Sequence, residues 1–153
     1  ISDKDIARSH CYSPVLLLDH IKQATTLDQL ADLRREIECS VEGLGGASGA
    51  ALRYVVSITL LFPYGTLAVN IIGSFMMGVA FVVLTAKGAD RMIVFAMTGV
   101  LGGFTTFSAF SLDTFKLIED GRVIFAWGYI LASVILSLAA VFGGVVFVRG
   151  VWG

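Results

Sequence analysis

Polar and apolar positions alternate at short range over the first 42 residues, and from Gly43 onward four long apolar runs take over. In the lead, Ser13-Pro14 has the form of an N-cap followed by proline at the first helical position, which predicts a short helix to about Ala24. Thr26-Leu27-Asp28-Gln29 has the form of a capping box, and behind it Leu27, Leu30, Leu33 and Ile37 recur at helical spacing. Two short amphipathic helices expose too much apolar surface to stand alone. The lead is therefore read as a peripheral extension that packs on itself, on the membrane surface or on a partner.

Each run behind it approaches the roughly 20 residues that cross about 30 Å of hydrocarbon. The first is 44–62, closed by Phe62-Pro63-Tyr64-Gly65, and the second is 66–84, closed by Lys87-Gly88-Ala89-Asp90-Arg91. The third, 92–118, is interrupted by Gly102-Gly103 and Thr105-Thr106; the fourth, 123–148, follows Glu119-Asp120-Gly121-Arg122. Connections this short make consecutive helices antiparallel. The pattern predicts an all-α membrane protein with a polar extension over 1–42 and four transmembrane helices over 43–153.

Composition sharpens that division. Residues 1–42 carry 13 of the 23 charged side chains, and residues 43–153 carry all 17 glycines. Bilayer helices pack by close backbone approach over small residues, so the glycines belong with the spans. A mean hydropathy of +0.84 argues against a soluble enzyme. A net charge of −1 gives no basic face for nucleic acid. Both histidines (His10, His20) and both cysteines (Cys11, Cys39) lie in the lead without metal-ligand spacing, which speaks against a zinc or disulfide framework. The spans then lack an imidazole, a thiol or paired acids, and hydrolytic chemistry is not expected of them. The four-residue run Val15–Leu18 is too short for a secretory signal.

The side holding the 2–3 connection and the C-terminus has Lys87, Arg91 and Arg149, against Lys116 and Arg122 opposite. Three against two is almost no orientation signal, and such a chain can insert both ways round. Arg34 and Arg35 tilt the balance if the lead counts.

Polar groups at membrane depth mark function by default. Thr66, Asn70 and Ser74 share one face of the second span, and Tyr129, Ser133 and Ser137 share one face of the fourth. A single Ser would be read as bonding back to its own helix. Two aligned stripes, one with an amide, are read as a path for a small dehydrated solute. In the third span, Gly99 to Ser111 mixes glycine pairs with consecutive Thr, and irregular backbone at this depth is tolerated where it lines a cavity or binds something. Carbonyls exposed there can coordinate a monovalent cation. Phe107 and Phe110 stand three apart beyond the break, and the positive edges of phenyl rings can contact an anion. Arg53, inside the first span, is read as an attractor at an aqueous vestibule or a charge satisfied by carbonyls. Asp113 is its possible partner or a solvated acid. The Gly45/Gly49 and Ser74/Gly78 spacings are signals of close helix packing.

Across 43–153 the sequence resembles the Fluc (CrcB) family of fluoride channels. The resemblance rests on three motifs in order: Gly45-Gly46-Ala47-Ser48-Gly49-Ala50 leading to Arg53-Tyr54, Gly65-Thr66-Leu67-Ala68-Val69-Asn70 with Gly73 and Phe75, and Gly102-Gly103-Phe104-Thr105-Thr106-Phe107-Ser108. It implies an antiparallel, dual-topology homodimer of four-helix subunits in the cell membrane, with the third helix broken at Gly-Gly-x-Thr-Thr and two pores. It further implies a structural sodium ion (Na+) at the dimer interface, ligated by carbonyls of Gly102 and Thr105 from both subunits. The implied fluoride pathway comprises Asn70, Phe107, Phe110, Ser108, Tyr129, Ser133 and Ser137, with Arg53 at the vestibule. Ala109 stands where the family often has Thr, and Asp113 where it more often has Glu.

The function so implied is passive export of fluoride, protecting the cell from its accumulation. A dual-topology exporter of small cationic molecules is a different class, and it needs an acid deep in a helix, which the first, second and fourth spans lack. A structural membrane subunit, with its breaks serving packing alone, is a third.

Overall fold

A computed structural model describes residues 27–152 of the chain. The predicted helix over 14–24 and the cap residue Thr26 lie outside the described residues. Helix α1 runs Leu27–Thr59 and α2 runs Tyr64–Ala86. The third span follows in pieces: α3 (Asp90–Ile93), a π-helical segment (Val94–Leu101), α4 (Gly102–Phe104) and α5 (Phe107–Glu119). Helix α6 (Val123–Trp152) completes the described chain.

Turn chemistry sets the connections as the sequence suggests. Gly88 and Gly121 take positive φ, of 58° and 74°, which glycine adopts without a Cβ clash. Beyond each, the chain closes back on its helix: Ala89 N–H donates to Leu84 C=O at 3.2 Å, and Arg122 N–H donates to Leu117 C=O at 2.9 Å.

Helix α1 differs from expectation. The change of composition at residue 43 does not interrupt it, so the predicted second helix of the lead and the first apolar run are one rod of 33 residues, about 50 Å long. Backbone hydrogen bonds inside a helix are indifferent to the medium outside, and no Pro or turn signal stands between Glu42 and Leu44. The rod fixes Arg34 beside the 2–3 connection, where it lines a surface cavity with Asp90 and Arg91. Cys39 on this helix is disulfide-bonded, contrary to the expectation against a disulfide framework.

Among the described residues, three stretches are long and apolar enough to cross a membrane: Tyr64–Ala86, Asp90–Glu119 and Val123–Trp152. Helix α1 is long enough but is not among them, since Arg53 and its glycines and serines dilute its apolar character. Helix α2 packs chiefly on α6, while α1 packs chiefly on the π-helical segment and α4. Glycine makes both approaches possible. A Cβ on Gly49 would overlap Val100 C=O, and one on Gly78 would overlap Val141 C=O. Both Gly45 and Gly49, marked by their spacing, therefore sit where backbones meet; a Cβ on Gly45 would come within 2.7 Å of Phe95 C=O.

Candidate functional site

The third span is broken at Thr105 and Thr106, whose φ/ψ of −76°/156° and −153°/119° are extended. Gly102 and Gly103 are helical, and Gly103 packs against the backbone of Gly46. The break is thus carried by the threonines, one residue beyond Phe104, rather than by the glycine pair. The π-helical turns before it were not foreseen; one extra residue per turn carries no mark in an apolar run.

An extended pair inside a span frees backbone groups that must find partners. Thr105 N–H and its hydroxyl both donate to Leu101 C=O at 3.0 Å. Thr106 N–H donates to Asn70 Oδ1 at 2.8 Å, and Asn70 Nδ2 donates to Thr106 C=O at 3.0 Å. The Thr106 hydroxyl caps α5 by accepting from Ala109 N–H at 3.2 Å, and lies 3.2 Å from the Ser108 hydroxyl. Arg53 Nη1 donates to Thr105 C=O at 3.5 Å, so the guanidinium meets a carbonyl, the second of its two sequence readings.

A cavity of about 380 Å³ opens beside the break, between α2, α5 and α6. Asn70 and Ser74 reach it from α2, Phe107 and Phe110 from α5, and Ser133 and Ser137 from α6. Two residues of each polar stripe read from the sequence therefore face one space, while Thr66 and Tyr129 do not line it. Phe110 is buried and Phe107 is 77% exposed, with ring centroids 5.3 Å apart. Ser108 is exposed, and Gly102 is exposed on the flank of the break.

One turn along α5 from Phe110, a second polar cluster is buried. Thr66 donates to Asp113 Oδ2 at 2.6 Å, and both side chains are more than nine-tenths buried. Asp113 thus pairs with a hydroxyl of α2 and not with Arg53; a separation of 47 positions leaves no spacing signal. The Tyr129 hydroxyl is buried near Ser133 and Thr66, and neither it nor the buried Ser133 hydroxyl has a hydrogen-bond partner among the described residues. The Tyr129 ring lies 5.5 Å from that of Phe110. Elsewhere the back-bonding pattern holds: Ser111 donates to Phe107 C=O at 3.0 Å and Thr114 to Phe110 C=O at 2.9 Å.

Residues 41–145 match the family model described as CrcB-like protein, Camphor Resistance (CrcB). The chain belongs to this family. It is 51% identical over 114 residues to the fluoride-specific ion channel FluC of Paracoccus denitrificans, covering 71% of this chain and 92% of that one. It is 48% identical over 115 residues to the FluC of Rhizobium meliloti, with 70% and 92% covered. Over 124 residues it is 44% identical to the FluC of Agrobacterium fabrum, with 76% and 99% covered. These relatives are named as ion channels, so the family is not one of enzymes. With its three long apolar helical stretches, the chain is a multi-pass membrane protein.

Proposed function

We propose that this chain is the subunit of a fluoride-selective channel that lets F⁻ leave the cell passively and so limits intracellular fluoride. The observation that carries the reading is the broken third span beside a cavity faced by Asn70, Phe110, Ser133 and Ser137. Relatives that share about half of the aligned residues are named fluoride-specific ion channels. Fluoride is small and strongly hydrated, and a path through hydrocarbon must replace its water with donors. Hydroxyls of Ser133, Ser137 and Tyr129 supply O–H groups at one-turn intervals. The edges of Phe107 and Phe110 supply weak positive charge that releases an anion as readily as it accepts one.

The assembly we propose is an antiparallel, dual-topology homodimer in the cell membrane, with α1 as a fourth crossing. Support for the crossing comes from α1 lying along the third span through Gly45 and Gly49. A structural sodium ion fits the residues at the break. Thr106 N–H, which would close the turn onto Gly102 C=O, donates to Asn70 instead. That leaves the exposed Gly102 with a neutral, hard oxygen of the kind Na+ takes, and Thr105 C=O is a second. When bound, the ion would supply positive charge shared between two subunits. Arg53 already brings charge to Thr105 C=O from within one subunit.

The test is efflux from fluoride-loaded liposomes, read with a fluoride electrode. Release well above empty vesicles is expected; release no faster than from empty vesicles rejects the channel.

A further inference from the structure

Asn70 faces the cavity of the proposed pathway, yet its polar atoms are engaged with the chain itself. Its Oδ1 accepts from Thr106 N–H and its Nδ2 donates to Thr106 C=O. An amide offers one acceptor atom and two N–H groups, so one N–H is left over for the cavity. The two bonds copy the donor–acceptor pair of a neighbouring backbone: Thr106 N–H gains the partner the break denies it, and Thr106 C=O, which at the N-cap also accepts the first bond of α5, uses its second lone pair. The approach depends on the next turn of α2. A Cβ on Gly73 would overlap Thr105 Cγ2 and come within 3.1 Å of Phe104 Cδ1. Glycine there lets α2 bring Asn70 within reach of the opened strand.

We propose that Asn70 is a positioning residue: its side-chain amide splices the interrupted third span at Thr106, holding the break open and fixing which face of the amide meets the cavity. This rests on the channel reading for its consequence but not for its geometry. The partners of the amide set its orientation, with the carbonyl oxygen turned to Thr106 N–H and the nitrogen to Thr106 C=O. An anion in the cavity then meets an N–H. Without the splice, Thr106 N–H is left unpaired in hydrocarbon while Thr106 C=O, at the N-cap, keeps the first bond of α5, and the local backbone can repair the N–H only by closing towards a helix.

The test follows hydrogen exchange resolved at the Thr106 amide, in the full chain in lipid, for the unaltered protein, Asn70→Asp and Asn70→Ala. Asp retains an acceptor for Thr106 N–H and loses the donor to Thr106 C=O, whereas Ala loses both. Exchange at Thr106 should stay slow in Asn70→Asp and accelerate about tenfold or more in Asn70→Ala. In the unaltered protein, fluoride should leave that exchange unchanged. Fluoride efflux should fall at least about tenfold in Asn70→Ala. Equal exchange in all three proteins overturns the proposal, because an amide that only contacts the ion would not guard Thr106. Faster exchange with undiminished efflux overturns it too. If Asn70→Ala does not fold, solid-state NMR of the unaltered protein decides: a contact between Asn70 Nδ2 and the Thr106 carbonyl carbon supports the splice, and its absence overturns it. An unaltered protein that keeps the exchange pattern but conducts no fluoride would remove the channel reading and leave the splice standing.

Discussion

Against α1 the third span closes on glycine, and against α2 and α6 it is held off by polar side chains. On the first face Gly45 and Gly49 meet Phe95 and Val100 main-chain atoms, with Gly99 and Gly103 answering from the other side. On the second face Thr66, Asn70, Asp113 and Ser133 stand between the helices, and a cavity remains. One segment thus uses two kinds of contact at the same depth. Lipid offers no hydrophobic drive for helix pairing, so an apolar seam must gain dispersion through close backbone contact. A polar seam can gain from hydrogen bonds instead and so tolerates a gap. The glycine face anchors the span while the polar face keeps a cavity.

Filling the anchor should have the largest effect. A Cβ on Gly49 would lie 2.8 Å from Phe104 N and overlap Val100 C=O, both backbone atoms that cannot swing away. Gly49→Leu is therefore expected to abolish folded protein, read as loss of the monodisperse peak on size exclusion in detergent. Gly46→Ala is the control on the same turn, since nothing lies within 4 Å of a Cβ there. A Gly49→Leu protein that elutes and melts like the unaltered one would mean the two helices do not touch as described.

The anchor was partly legible beforehand. Gly45 and Gly49 carry a recognisable spacing, whereas Gly103 looks like a helix breaker in sequence and serves instead as a contact for Gly46. Glycine weakens a helix without ending it, and only the backbone partners available at Thr106 decide where the interruption falls. The polar face was read more fully. Helical periodicity placed Asn70 and Ser74 together and Ser133 and Ser137 together, and all four reach one cavity. Pairings across helices were out of reach: Thr66 with Asp113 and Arg53 with Thr105 join residues 47 and 52 apart. The continuity of α1 was hidden by composition, which reports the medium around a helix rather than its hydrogen bonds.

A smaller loss is expected on the polar face. Thr66→Val removes the hydroxyl that donates to the buried Asp113 side chain and leaves Asp113 to bear its desolvation, costing about 1–3 kcal/mol. The double change Thr66→Val with Asp113→Leu removes donor and acceptor together and should recover most of that loss. Thermal melts in detergent compare the two. Equal melting of Thr66→Val and the unaltered chain would remove the pair from the forces that hold α2 to α5.

The smallest energetic effect belongs to the outer half of α1, where the outcome is a change of orientation and not of stability. Arg34 bonds Glu38 at 2.9 Å on the exposed surface, and Arg35 approaches Asp32 at 3.9 Å. Exposed pairs of this kind contribute little, so Arg34→Gln with Arg35→Gln should leave the melting temperature unchanged. Orientation follows Lys and Arg near span ends, with acids counting little. Because α1 is one rod, both arginines lie on the side of Lys87, Arg91 and Arg149, against Lys116 and Arg122 opposite. With the pair present, a reporter fused to the C-terminus should appear mostly on the cytoplasmic side. With it replaced, the balance returns to three against two and the reporter should approach an even split. An antiparallel pair built from this chain alone needs both orientations, so the outer half of α1 works against that assembly. An even split in the unaltered protein would show that insertion is decided before α1 extends, leaving the two arginines without influence.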